Sequence, residues 1–197
     1  MNYSFQVLNY GHWYKILWFC KIAMIVAAIG FIFKKRVLIN IVLIASFVAQ
    51  SRWILDFILQ FLGMGMGRNE WIVYGDTFLI ILSIIMHSVL IPICFYGTYK
   101  LGFDKKSLKY SILLFSVVLL IISFLVTESN QNINCISYPC DLNYNEDFDI
   151  IENSGFYFTY KYLIYNVVFW SFFIYLSYLL MNYLFMKVKY LNKNNNL

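Results

Sequence analysis

Residues 37–62, VLINIVLIASFVAQSRWILDFILQFL, decide the fold of this chain. A helix needs about 20 apolar residues to cross the hydrocarbon core of a bilayer, and this stretch supplies them. It also contains Arg52 and Asp56, although a charge in hydrocarbon costs about 3 kcal/mol on insertion scales. We therefore expect a membrane helix whose charged residues have a partner, contact water or serve a function.

The rest of the chain repeats this pattern. Of its 197 residues, 61% are hydrophobic and 13% are charged, whereas about half apolar is usual for a soluble domain. We expect an all-α integral membrane helical bundle that forms a single transmembrane domain over residues 1–197. The five predicted transmembrane helices are about 13–33, 37–62, 72–97, 107–126 and 162–186. Pro92 is predicted to kink the third.

The charges between the apolar runs predict the orientation. Every basic cluster falls on one side of a five-helix topology, and the loop at 127–160 on the other side is acidic. The basic residues are Lys34, Lys35, Arg36, Lys100, Lys105, Lys106, Lys109 and, in the tail at 187–197, Lys187, Lys189 and Lys193. The positive-inside rule then places the N-terminus outside and the C-terminus inside a plasma membrane. We expect membrane lipids as partners and no nucleic acid, because the charges are spread among the connections.

The predicted outer loop contains Cys135 and Cys140. On this topology they face an oxidising compartment, where a disulfide can persist, so a short disulfide-closed loop is expected. Free thiols and a metal site are the alternatives. A metal site has little support, because no histidine is nearby. We predict neither a metal nor a cofactor.

Four ionisable residues lie inside otherwise apolar runs: Arg52, Asp56, Asp76 and His87. Arg52 and Asp56 are four residues apart, so one helix face can carry them as an ion pair. At about 1.5 Å per residue, Asp76 is expected near the outer surface and His87 near the middle of the membrane. The pattern predicts a polar cavity that opens outward and narrows toward His87, with Arg52, Asp56 and Asp76 as candidate ligand-binding residues.

His87 is a candidate catalytic residue. Histidine titrates near neutral pH and can act as a general base, with Ser51 as a candidate nucleophile on the neighbouring helix. A hydrogen-bonded structural histidine is the alternative. No G-x-S-x-G elbow is present, so an ordinary α/β-hydrolase is excluded.

Several short motifs resemble known membrane families. Trp53-x-x-Asp56, His87-x4-Pro92, Leu101-Gly-Phe-Asp-Lys105 and Asn132-Ile-Asn134 resemble a family of small bacterial polytopic membrane proteins. That resemblance implies a fold but no activity, and it adds Asn134 to the candidate ligand-binding residues. The His87–Pro92 spacing is also similar to that of the androgen-induced membrane proteins, which implies lipid-ester hydrolysis.

Three functions stay open at this point. The first is an intramembrane enzyme that acts on lipid esters or acyl groups, with Arg52 as an anion clamp. The second is a ligand-binding or transport component, for which five helices require a homo-oligomer or a partner subunit in the membrane. The third is a structural or assembly subunit that uses the aromatic-rich fifth helix as a partner surface.

Overall fold

A computed structural model of the chain describes residues 16–64, 77–128, 131–139 and 147–194, and all regular structure in these ranges is helical. The first four helices along the chain are α1 (Phe19–Ile32), α2 (Arg36–Phe61), α3 (Thr77–Leu101) and α4 (Ser107–Val126). A short α5 (Phe148–Asn153) precedes the long α6 (Tyr160–Asn194).

Four described helices are long and apolar enough to span a membrane: Arg36–Gln60, Ile80–Leu101, Ser107–Val126 and Tyr160–Lys187. Their outward faces carry large apolar side chains, such as Ile85 at 50% and Val168 at 63% exposure. An exposed apolar surface of this extent suits hydrocarbon better than water. The fold class is therefore confirmed as all-α in the described residues, with four helices that are long and apolar enough to span a membrane.

The first predicted helix is shorter than the sequence suggests. Helix α1 has 14 residues, which at about 1.5 Å per residue gives roughly 21 Å against a hydrocarbon core of about 30 Å. It begins at Phe19, because the backbone of Trp18 is extended (ψ 131°), and residues 13–15 lie outside the described part. A fifth membrane-spanning helix and the orientation of the termini stay predictions.

Helix α2 is the central helix of the bundle. It packs against α1, α3, α4 and α6, and its residues Ile39–Ser46 are buried without interruption. A helix that is apolar on all sides is expected in the interior of a larger assembly of helices. The polar side chains of Asn40, Ser46 and Gln50 on α2 are enclosed by protein, whereas Ser51 is exposed.

Two glycines let the first three helices approach closely. A Cβ on Gly97 of α3 would lie 2.6 Å from the Phe31 ring, and one on Gly30 of α1 would lie 2.9 Å from Ile39 of α2. Small residues at such crossings allow the backbones to come into contact.

Helix α4 changes its winding in the middle, with a π-helical segment at Ile112–Val118. Before this segment, the Ser107 and Ser111 hydroxyls donate hydrogen bonds to the carbonyls of Val37 (3.5 Å) and Ile41 (3.1 Å) on α2. These contacts keep the first turns of α4 level with the first turns of α2.

One end of the bundle carries most of the described basic residues, and we call it the basic end. Helices α1 and α3 end there, and α2 and α4 begin there. Phe185 of α6 also reaches this end, where its ring stacks 5.6 Å from Phe103. The exposed cations of this end are Lys34, Lys35, Arg36, Lys100, Lys105, Lys106 and Lys109. This grouping matches the side that the charge pattern predicted to be inside.

Candidate functional site: the interface of α2 and α3

An aromatic stack joins α2 to α3 at His87. The His87 imidazole lies 4.0 Å from the Trp53 ring centre, with an interplanar angle of 16°, and Trp53 stacks on Phe57 at 5.4 Å. Trp53 and Phe57 are four residues apart, so they lie on one face of α2. That face is the one that α3 covers at His87.

The hydrogen bonds of His87 define its tautomer. Nδ1 lies 2.7 Å from the carbonyl oxygen of Ser83 and 3.4 Å from the Ser83 hydroxyl. A carbonyl oxygen only accepts hydrogen bonds, so Nδ1 carries a proton. In the neutral ring, Nε2 then presents a lone pair, and it makes no hydrogen bond to any residue that the structure describes.

The same face of α2 continues toward the basic end with Gln50 and Ser46. The positions 46, 50 and 53 follow the spacing of one helix face. Gln50 is 2% exposed and Ser46 is 1% exposed, yet Gln50 Oε1 and Ser46 Oγ have no hydrogen-bond partner within the described ranges. Leaving a buried polar atom unpaired costs about 1–3 kcal/mol, so such atoms in native proteins call for a specific explanation, such as a water or a ligand.

The predicted ion pair between Arg52 and Asp56 does not form. The one ion pair within 4 Å among the described residues joins Arg36 to Asp104 at the basic end. Asp56 is buried at 1% exposure and is not without an interaction partner, whereas Arg52 is half-buried. Helical spacing alone permitted the pair, but the two side chains enter different environments.

The structure does not bring Ser51 to His87. Ser51 is exposed and stands two residues before Trp53, which is about 200° around the helix at 3.6 residues per turn. It therefore lies on the side of α2 opposite the His87 contact. Ser83, the hydroxyl that does approach His87, meets the protonated Nδ1, which has no lone pair with which to accept its proton. Asp76, the third predicted ligand-binding acid, lies outside the described residues.

Asn134 ties the loop at residues 131–139 to the start of α1. Its side-chain oxygen accepts from the Phe19 amide (2.8 Å), and its side-chain nitrogen donates to the Leu17 carbonyl (2.9 Å) and the Ser123 hydroxyl (3.2 Å). Asn134 has positive φ (60°), a conformation that asparagine tolerates well. The side chain predicted to bind a ligand thus satisfies backbone groups at a helix N-terminus, which otherwise lack partners.

Asn132 closes the same loop on itself. Its side chain accepts from the amides of Ser137 and Tyr138 and donates to the Tyr138 carbonyl. Next to this turn, Cys135 is disulfide-bonded, whereas Cys20 and Cys94 are free. The predicted partner, Cys140, lies outside the described residues.

A second polar cluster, which the sequence analysis missed, lies at the basic end around Asn40. This fully buried side chain donates to the Thr98 hydroxyl (3.0 Å) and accepts from the Asp104 amide (2.6 Å). Asp104 in turn pairs with Arg36 at 3.3 Å. An asparagine inside an apolar run was the available signal, because such residues form hydrogen bonds between membrane helices. The Leu101–Lys105 motif therefore anchors α3 and α4 to the start of α2.

No group of three His, Cys, Asp or Glu side chains converges as a metal site in the part of the chain that the structure describes. Comparison with known proteins found no matching protein family, no matching curated protein and no matching solved structure. The resemblances drawn from the short motifs therefore stay predictions.

Proposed function

We propose that this protein is a membrane-embedded binding or transport component for a small solute that donates hydrogen bonds. The observation that carries this proposal is the pair of buried, unpartnered acceptors Gln50 Oε1 and Ser46 Oγ on the α2 face that meets α3. A buried site with unpaired polar atoms is where a hydrogen-bonding solute gains most on binding.

The depth of these acceptors supports a role in transport. Gln50 lies about 21 Å along α2 from Arg36 and about 16 Å from Phe61, at 1.5 Å per residue. It is thus near the middle of the predicted membrane helix, which is where many carriers bind their substrates. In this proposal the basic end faces the cytoplasm at the plasma membrane, and solute enters from the opposite end past Asp56.

The polar groups indicate the class of solute. Gln50 Oε1 and the neutral Nε2 of His87 both accept hydrogen bonds. Trp53, whose ring stacks on His87, follows Gln50 by three residues, which is about 5 Å along the axis of α2. Ammonium and small primary amines carry several N–H donors and fit such a pair of acceptors. A homo-oligomer would supply the helices that a complete pathway needs.

Hydrolysis of lipid esters remains the second candidate, with weaker geometric support. A nucleophilic mechanism needs a hydroxyl that donates its proton to the base. Ser51 lies on the opposite side of α2 from His87, and Ser83 approaches the nitrogen that is already protonated. Neither serine is placed for that transfer in this conformation.

The test uses purified full-length protein in detergent and in proteoliposomes, with methylammonium as the probe. We expect methylammonium to raise the unfolding temperature and to be taken up by the vesicles. Gln50→Leu removes one acceptor. It should raise the methylammonium concentration that is needed for the half-maximal thermal shift, and for half-maximal uptake, at least tenfold. It should also stabilise the ligand-free protein, because it removes an unpaired buried polar group. Gln60→Leu, the same substitution near the end of α2, is the matched control.

The outcome of these variants decides the proposal. Equal loss of binding in Gln50→Leu and Gln60→Leu, or no response of the wild type to ammonium, methylammonium and ethylammonium, contradicts it. Release of fatty acid from vesicle lipid that disappears in His87→Ala but persists in Gln50→Leu would favour the hydrolase instead.

A further inference from the structure

An apolar groove lies between α2 and α4 and opens on the outside of the bundle. Its volume is about 360 Å³, within the range of small-molecule sites. Val37 and Ile41 of α2 form one wall, and Tyr110, Leu113 and Val118 of α4 form the other. Tyr110 and Leu113 are 45% and 47% exposed, so the groove is accessible to molecules that surround the helices.

The groove starts at the basic end and runs into one leaflet. Val37 directly follows Arg36, and Tyr110 directly follows Lys109. From Tyr110 to Val118 the wall extends about 12 Å along α4, which is less than the roughly 15 Å hydrocarbon depth of one leaflet. An occupant that enters from the leaflet at the basic end can therefore fill it without crossing the midplane.

Cations surround the mouth of the groove. Lys106 directly precedes α4 and lies four residues before Tyr110, about one helical turn away, and both Lys106 and Lys109 are exposed. Arg36 is held at 3.3 Å by Asp104 through its Nε atom, which leaves its four Nη hydrogens unused in this contact. A guanidinium that is already fixed in position loses less freedom when it binds a phosphate.

We propose that this groove is a specific site for an anionic phospholipid. One acyl chain occupies the apolar groove, and the headgroup phosphate contacts Arg36, Lys106 and Lys109. Charge complementarity selects this occupant, because a second copy of this chain would bring its own exposed cations close to these, and an apolar partner helix would offer them no negative charge. The site is separate from the α2–α3 interface proposed above to bind a solute.

The test places full-length protein in nanodiscs of phosphatidylcholine that contain a trace of lipid with a nitroxide on its acyl chain. The spectrum gives the motionally restricted fraction of the probe. We expect phosphatidylglycerol to be restricted more than phosphatidylcholine. The double variant Lys106→Gln/Lys109→Gln should lower the apparent affinity for phosphatidylglycerol about 25-fold, at roughly fivefold per charge removed. The control variant Lys100→Gln/Lys187→Gln removes the same charge elsewhere on the bundle and should leave the apparent affinity for phosphatidylglycerol unchanged.

A second pair of variants tests the acyl-chain site. Leu113→Trp fills the groove from its exposed rim and should release the restricted phosphatidylglycerol, whereas Leu125→Trp on the exposed surface of the same helix should not. If the two double lysine variants lower the affinity equally, the lipid is held by general surface attraction and the proposal is overturned. Retained binding in Leu113→Trp overturns the acyl-chain assignment. Dimers that survive lipid dilution and disappear in Leu113→Trp assign the groove to a second copy and also overturn it.

Discussion

Replacing Asn134 with alanine tests whether the loop holds the start of α1. The substitution removes three hydrogen bonds, to Phe19, Leu17 and Ser123, from a side chain that is 8% exposed. At about 0.5–1.5 kcal/mol each, these bonds sum to about 1.5–4.5 kcal/mol. Alanine also has to adopt φ 60°, which adds about 1 kcal/mol. We expect the free energy of unfolding to fall by about 2.5–5.5 kcal/mol in total.

The assay is hydrogen exchange followed by mass spectrometry in detergent micelles. Because the Phe19 amide loses its acceptor, exchange at the first turn of α1 should rise at least tenfold, which corresponds to about 1.4 kcal/mol. Asn132→Ala is the matched control, because Asn132 also has positive φ and three hydrogen bonds, all inside the loop. It should expose residues 135–139 and leave α1 protected. If both variants change α1 equally, or neither does, the tether between loop and helix is refuted.

Two further predictions concern the packing around α2. Asn40→Ala leaves the Thr98 hydroxyl and the Asp104 amide without their partner. It should lower the free energy of unfolding, measured by chemical denaturation, by about 2–4 kcal/mol. An effect below about 1 kcal/mol would contradict the assigned hydrogen bonds. Gly97→Ala pushes a Cβ to 2.6 Å from the Phe31 ring and should lower the same free energy by about 1–3 kcal/mol, with Phe31→Leu in the same chain recovering part of the loss. If the denaturation midpoint of Gly97→Ala is unchanged, the Phe31 ring moves aside freely.

The long helices could be predicted from the sequence because each depends on local composition. The apolar runs 37–62 and 107–126 agree with α2 and α4 to within one residue at each end. The start of α1 could not be predicted in this way. Its N-terminus is fixed by Asn134, more than 100 residues away in the chain, and no local pattern carries that information.

The candidate site shows the same limit. Ionisable residues inside apolar runs identified Asp56 and His87, Trp53 stood in a motif that resembled a known family, and the structure brings Trp53 and His87 into contact. The spacing of Arg52 and Asp56 was equally suggestive, yet they form no ion pair with each other. Residues four apart can meet, but the burial of one and the partial exposure of the other depend on which helices pack around α2.

The distribution of satisfied and unsatisfied polar groups along α2 supports a binding role for its centre. At the basic end, Asn40 is fully buried and both of its functional atoms are hydrogen-bonded. Gln50, ten residues further along the same helix, is equally enclosed, but its oxygen has no partner in the part of the chain that the structure describes. If packing alone determined which side chains α2 carries, leucine at position 50 would avoid the cost of an unpaired buried acceptor. A polar residue at this position, at a cost in stability, is what the proposed solute site predicts, because the bound solute would supply the missing hydrogen bond.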